Sequence, residues 1–178
     1  NITSAAEHTL ALLLAQARNV PQAHGALVDG RWERSKWEGV ELEDKTLGVV
    51  GFGRIGRLVA HRAAAFGMKI VAHDPFVPAE AAKHLDVEFL ELDDLMARAD
   101  FLTLHVAKTR ETIGLINNER LGLAKPHLRI VNVARGGIID ELALAEAVAS
   151  GQIAGAAIDV FEDEPTTESP LIGVPGIV

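Results

Sequence analysis

Gly51-Phe52-Gly53-Arg54-Ile55-Gly56 spaces three glycines as G-x-G-x-x-G, between an apolar β-branched run and a stretch of helical spacing. Each glycine answers a different demand of a dinucleotide. Gly51 permits a tight turn, Gly53 lets the backbone approach a pyrophosphate, and Gly56 lets helix pack closely on strand. The helix N-terminus that follows adds N–H donors and a positive dipole. The next apolar run ends in His73-Asp74. Asp74 stands about twenty residues past the last glycine, where an acid accepts hydrogen bonds from the two ribose hydroxyls. The same carboxylate repels a 2′-phosphate, so the pattern selects NAD over NADP.

A second cluster with chemical capacity is Val131-Asn132-Val133-Ala134-Arg135-Gly136-Gly137. It follows an apolar run, at the strand end where open α/β sheets bind ligands. A guanidinium there can hold a carboxylate and a keto oxygen through paired donors. The alternative is a salt-bridging surface arginine, and the adjacent glycines favour function. Asp159 closes another run, in Ile158-Asp159-Val160-Phe161. An acid in apolar surroundings is expected to be paired or functional, and a cofactor contact is preferred to a structural cap. Glu164, in Asp163-Glu164-Pro165, is equally well an ordinary loop acid on these residues alone.

The elements that must position these groups alternate regularly after Lys45. Strands are predicted at Leu47–Gly51, Lys69–His73, Val87–Leu90, Phe101–Val106, Arg129–Val133 and Ala156–Phe161, with helices at Arg54–Phe66, Ala79–Leu85, Leu92–Ala99, Asn118–Leu123 and Glu141–Ala149. Runs without polar alternation are strands buried on both faces, which predicts an α/β fold. Its form is a doubly wound parallel sheet, a Rossmann fold with helices on both faces. The helices at 92–99 and 118–123 are short enough to be single turns, and Gly151 falls where a helix C′ residue belongs. Ile177-Val178 reads as the start of a seventh strand. Upstream, Ser4 to Arg18 has helical spacing, with Ser4 as N-cap and Glu7 completing a capping box. Residues 29–46 form a polar surface loop in which Trp32 and Trp37 are expected to pack.

The 178 residues suit one domain, 1–178, with a core of Val, Ile, Leu and Ala, since aromatics make up only 4%. The absence of Cys excludes a disulfide scaffold, a thiolate metal site and a Cys nucleophile, and no metal is expected. A formal charge of -8 without a basic cluster speaks against nucleic acid and anionic membrane as partners. No apolar run reaches the roughly 20 residues of a membrane span, and a cytoplasmic location is expected. Neither end has the look of a natural terminus, so a longer parent is expected.

Together these segments resemble the nucleotide-binding domain of the D-isomer-specific 2-hydroxyacid dehydrogenases. The resemblance rests on Ser4 to His8, Lys45 to the glycine motif, Asn132 to Asp140, and Asp159 to Pro165, and covers essentially the whole chain. Thr167 to Leu171 is more similar to the family's phosphoglycerate branch than to its formate or lactate branches. The resemblance implies a small 2-hydroxy acid as substrate and catalytic roles for Arg135 and Glu164. Arg135 would bind the substrate's carboxylate and carbonyl, and Glu164 would orient a catalytic His. Arg54 and Ile55 would contact the pyrophosphate and Asp74 the ribose. Val106, Val133, Ala134 and Arg135 would line the cofactor cleft, and Asp159 would lie near the nicotinamide amide. The family's P-H-L-G-x-S segment, which carries that His, is not among these residues. Ala107 departs from the family's usual Pro, which is expected to loosen a loop over the adenine. His73 and His105 are expected to line the adenine pocket or its shell. The resemblance further implies a homo-oligomer built through the nucleotide domain. It leaves open a glyoxylate or hydroxypyruvate reductase, and a non-catalytic NAD sensor akin to corepressors, though intact Arg135 and Glu164 favour an enzyme.

Overall fold

A computed structural model of the chain describes residues 1–78 and 87–178. The unrelieved apolar runs become six strands: β1 (Thr46–Val50), β2 (Lys69–His73), β3 (Glu88–Phe89), β4 (Phe101–Leu104), β5 (Arg129–Asn132) and β6 (Gly155–Ile158). They lie in the order β3-β2-β1-β4-β5-β6, and every pair is parallel. The order reverses between β1 and β4. Chain leaving the C-terminal ends of those two strands must diverge, which opens the ligand crevice of a doubly wound sheet.

Among the described residues the helices are α1 (Ile2–Arg18), α2 (Val20–Val28), α3 (Arg54–Ala64), α4 (Leu92–Arg98), α5 (Asn118–Leu121) and α6 (Glu141–Ala149). Strand alternation splits the core into two layers. Leu47, Val49, Val131 and Ala157 face α1 and α3, packing on Leu10, Leu13, Val59 and Ala63. Val50, Leu102, Leu104 and Ile130 point the other way, onto Leu95, Met96, Leu121 and Leu144 of α4, α5 and α6. Both faces are therefore covered, as the predicted fold requires.

Several boundaries differ from expectation. α1 starts at Ile2 with Asn1 as its cap, and Ser4 lies inside the first turn, its Oγ donating to Asn1 O at 2.9 Å. Asn1 holds the cap position through its backbone carbonyl, which accepts the Ala5 N–H at 3.0 Å, and its side chain makes no capping bond, so the expected capping box of Ser4 and Glu7 does not form. α4 spans seven residues rather than one turn, whereas α5 has four. The expected strands at 101–106 and 156–161 leave the ladder after Leu104 and Ile158, where the crevice begins. Trp32 does not pack: it is 81% exposed, beside a short 3-10 turn at Arg34–Trp37 that half-buries Trp37. Gly151 follows α6 at φ 76, as a C′ glycine. Ile177 makes a single parallel bridge to Ala156, the beginning of the expected seventh strand. The helix expected at 79–85 lies outside the described residues.

The N-terminal edge of the sheet, opposite the crevice, is tied by Asp100. Its Oδ2 accepts the Thr46 N–H at 2.8 Å, and its Oδ1 accepts from Lys125 Nζ at 2.8 Å and His127 Nε2 at 2.7 Å. Burial opposes ionisation of this carboxyl, but Lys125, the Thr46 amide and His127 outweigh it and hold the pKa at about 2. A depressed carboxyl contributes stability that is complete above its unfolded pKa and is lost as pH falls through the folded value. Asp100→Asn should therefore cost about 2 kcal/mol at pH 7. The gap in urea midpoint between the two proteins should close as pH drops from about 4 towards 2. A gap that stays constant over that range would mean that Asp100 acts only through its shape.

Candidate functional site

Glycine placement builds the first wall of the crevice. Gly51 ends β1 at φ 90, and a Cβ there would sit 2.7 Å from the His105 carbonyl oxygen. A Cβ on Gly56 would strike the Gly51 carbonyl itself. Gly53 differs from both. Its φ of -75 suits any residue, and a Cβ would meet nothing within 4 Å. Space stands open in front of the first turn of α3, whose N-cap Gly53 provides no side-chain acceptor and whose first turn carries no acid. The leading N–H groups of a helix have no acceptor within it. A dinucleotide pyrophosphate fits this cradle, which joins open space, free donors and positive dipole.

Asp74 follows β2 and fastens this loop. Its Oδ2 accepts the Phe52 N–H at 2.8 Å and its Oδ1 the Phe76 N–H at 2.9 Å. The carboxylate thereby stands at the glycine turn, where the ribose is expected. Arg57 supports the same turn, donating from Nε to Phe52 O at 3.0 Å.

The second wall is the turn after β5. Asn132, 2% exposed, accepts the Ala134 N–H on Oδ1 and donates from Nδ2 to Arg135 O, each at 3.0 Å. Gly136 packs so tightly on the Phe161 carbonyl that a Cβ would collide with it, and Gly137 has φ 76. The backbone around Arg135 is fixed on both sides, while among the described residues its exposed guanidinium donates only to the Ala134 carbonyl, from Nη1 at 2.6 Å. Across the Gly136 contact, Glu164 Oε1 accepts the Phe161 N–H at 2.8 Å. The arginine and glutamate turns thus abut.

Between the walls lies a cleft of about 270 Å³ that brings together Ile55, Val106, Val133, Ala134 and Arg135. Asp74, Asp159 and Glu164 are not among its lining residues. Four contributors were not assigned to it from sequence: Asn1, Ala5 and Thr9 of α1, and Ala107. Spacing of four puts the first three on one face of the entry helix, but that spacing alone does not set this face apart from any other. Ala107 lines the cleft together with Arg135, and its loop is held by Thr112 Oγ1, which donates to Ala107 O at 2.6 Å.

His105 also lines the cleft. Burial lowers its pKa to about 4, so the imidazole is neutral at physiological pH. Its Nε2 lies 2.9 Å from Thr103 Oγ1. His73 instead directs Nδ1 to the Leu90 carbonyl at 2.9 Å. Asp159 is half exposed rather than surrounded by apolar groups, and it has a partner that sequence spacing did not disclose. His8 Nε2 on α1 stands 3.1 Å from its Oδ1. Among the described residues no cluster of His, Asp and Glu could hold a metal ion, and no helix is long and apolar enough to cross a membrane.

Residues 10–178 match the family model of the D-isomer specific 2-hydroxyacid dehydrogenase, NAD binding domain. The chain is 53% identical over 178 residues to D-3-phosphoglycerate dehydrogenase of Mycobacterium tuberculosis, covering 100% of this chain and 34% of the relative. It is 49% identical over 176 residues to D-3-phosphoglycerate dehydrogenase of Methanocaldococcus jannaschii, covering 98% of this chain and 34% of that one. The structure of NAD-dependent formate dehydrogenase from Staphylococcus aureus in complex with NAD is similar with a TM-score of 0.93 at 36% identity. That match covers 100% of this chain and 54% of the other. The chain spans about a third of the length of the curated relatives it matches.

Proposed function

This chain belongs to the D-isomer specific 2-hydroxyacid dehydrogenase family as an NAD-binding domain, and from that premise we propose that it serves a D-3-phosphoglycerate dehydrogenase. The reaction would be oxidation of 3-phosphoglycerate to 3-phosphohydroxypyruvate, in serine biosynthesis. One observation carries the enzymatic reading: a single cleft has the first turn of α3 on one side and Arg135 on the other. The substrate assignment is supported by identity of about one half, along the whole chain, to relatives bearing that name.

In this proposal domain 1–178 holds NAD with the pyrophosphate on Gly51, Gly53, Arg54, Ile55 and Gly56, and the ribose on Asp74. Val106, Val133 and Ala134 form the apolar wall, and Asp159 accepts the nicotinamide amide. Bound NAD supplies the hydride acceptor. Arg135 holds the substrate's carboxylate and carbonyl oxygen through parallel donors. Glu164 positions the His that takes the hydroxyl proton, and a neighbouring carboxylate raises the basicity of an imidazole.

A second copy of the chain is the proposed partner. Leu27, Val28 and Trp32 are exposed beside a groove of about 370 Å³ between α2 and the arm that follows it. An apolar patch of this kind suits an interface, and a monomer in sedimentation velocity would overturn it. The proposed compartment is the cytoplasm, on composition alone.

Two measurements test the function. The full-length protein should reduce NAD with 3-phosphoglycerate in preference to other 2-hydroxy acids, and a preference for glyoxylate or hydroxypyruvate in the reverse direction would redirect the substrate assignment. Calorimetry should give NADH at least about tenfold tighter binding than NADPH, because a 2′-phosphate would face Asp74. Asp74→Ala should narrow that gap while weakening NADH, since Asp74 also braces Phe52. Equal affinity of the unaltered protein for both would remove Asp74 from the ribose site.

A further inference from the structure

We propose that His8 is a positioning residue of the cofactor site, holding Asp159 in the orientation that receives the nicotinamide amide. The proposal rests on the NAD-binding arrangement given above and adds to it a residue from the entry helix.

The geometry is specific. Asp159 lies one residue beyond β6, and its N–H donates to Asn132 O at 3.0 Å. It therefore continues the sheet beside Val133, which itself lines the cleft. α1 crosses the same end of the sheet and presents Asn1, Ala5 and Thr9 to that cleft. His8 is three residues from Ala5 and seven from Asn1, which puts it on the same helical face. Its Nε2 reaches Asp159 Oδ1 at 3.1 Å, joining residues 151 apart in sequence.

Chemistry sets the direction of this bond. An ionised carboxylate can only accept, so Nε2 carries the hydrogen and donates. Side-chain exposures of 46% for His8 and 45% for Asp159 leave the pair open to solvent and not sealed in the core. A carboxylate at such a site would otherwise rotate freely about its χ angles. The imidazole fixes one oxygen, which leaves the other to accept from an amide N–H of the cofactor. In the neutral ring Nδ1 is then an acceptor. The bond also ties α1 to β6, so the cleft wall on that side is one unit.

The test separates the nicotinamide end of the cofactor from the rest. NADH and ADP-ribose, which lacks the nicotinamide, are titrated calorimetrically against the full chain, His8→Phe and His8→Gln, with melting temperatures recorded in parallel. Phenylalanine keeps the ring shape without a donor, whereas glutamine can still donate to Asp159. His8→Phe should weaken NADH about tenfold, the scale of one charge-assisted hydrogen bond, and leave ADP-ribose within about twofold. His8→Gln should recover most of the NADH affinity. Unchanged NADH binding by His8→Phe overturns the proposal, and so does equal weakening of both ligands, which would make His8 a structural strut. If the unaltered chain binds NADH no more tightly than ADP-ribose, the nicotinamide contact itself is absent, and the assignment of Asp159 falls before that of His8.

Discussion

Gly53→Val is expected to leave the melting temperature within about 4 °C of the unaltered chain while NADH binding falls by more than about a hundredfold, equivalent to about 2.7 kcal/mol. The two halves of that result have separate causes. The backbone of Gly53 has φ -75, which valine adopts without strain, and the space a Cβ would enter holds no atom within 4 Å. Valine caps a helix less well than glycine, but it also lowers the entropy of the unfolded chain, and the two effects oppose each other. The empty space that tolerates the side chain is the space proposed for the pyrophosphate. Gly51 and Gly56 provide the contrast. Alanine at Gly51 would combine φ 90 with a 2.7 Å approach to the His105 carbonyl, and alanine at Gly56 would collide with the Gly51 carbonyl. Both should lower the melting temperature markedly, so loss of binding there would say little about the cofactor. A Gly53→Val protein that melts normally and binds NADH as before would move the cofactor away from this loop.

What the sequence discloses here divides by distance along the chain. The glycine turn, Asp74 and the Arg135 turn are legible because each requirement is met within one contiguous segment. Strand burial is legible for the same reason, since an unrelieved apolar run reports both of its faces at once. The contributions that escape sequence reading are juxtapositions of distant segments. Nothing local marks His8 as the partner of Asp159, 151 positions away. Nor does any local pattern show that Asp100 holds Thr46, Lys125 and His127 together at the opposite edge of the sheet. Thr9 and Ala5 read as ordinary helix residues until β5 is placed beneath them. Trp32 shows the converse. Its size argues for burial, yet the arm that carries it has no core of its own to enter, and the ring is left on the surface.

Arg135→Ala, made in the full-length protein, is expected to lower kcat/KM by about a thousandfold while NADH affinity changes by no more than about threefold. The magnitude follows from the kind of bond proposed. A hydrogen bond between charged groups contributes about 1.5–3 kcal/mol, and a guanidinium facing a carboxylate and a carbonyl oxygen makes at least two of them. The selectivity follows from how the arginine is mounted. Asn132 holds the turn from within by accepting the Ala134 N–H and donating to the Arg135 carbonyl, and Gly136 is seated against the Phe161 carbonyl. None of these contacts involves the guanidinium. Removing it should leave the backbone that faces the cofactor in place. Among the described residues the guanidinium donates only to the carbonyl of Ala134, which leaves most of its donors for a ligand. Lysine in its place keeps the charge but not the planar fork, and Arg135→Lys should recover only a minor part of the lost activity. Steady-state kinetics with 3-phosphoglycerate and a fluorescence titration with NADH, run on all three proteins, decide the matter. A kcat/KM within tenfold of the unaltered enzyme would mean that the substrate's carboxylate is held elsewhere. A parallel fall in NADH affinity would instead assign Arg135 to the cofactor.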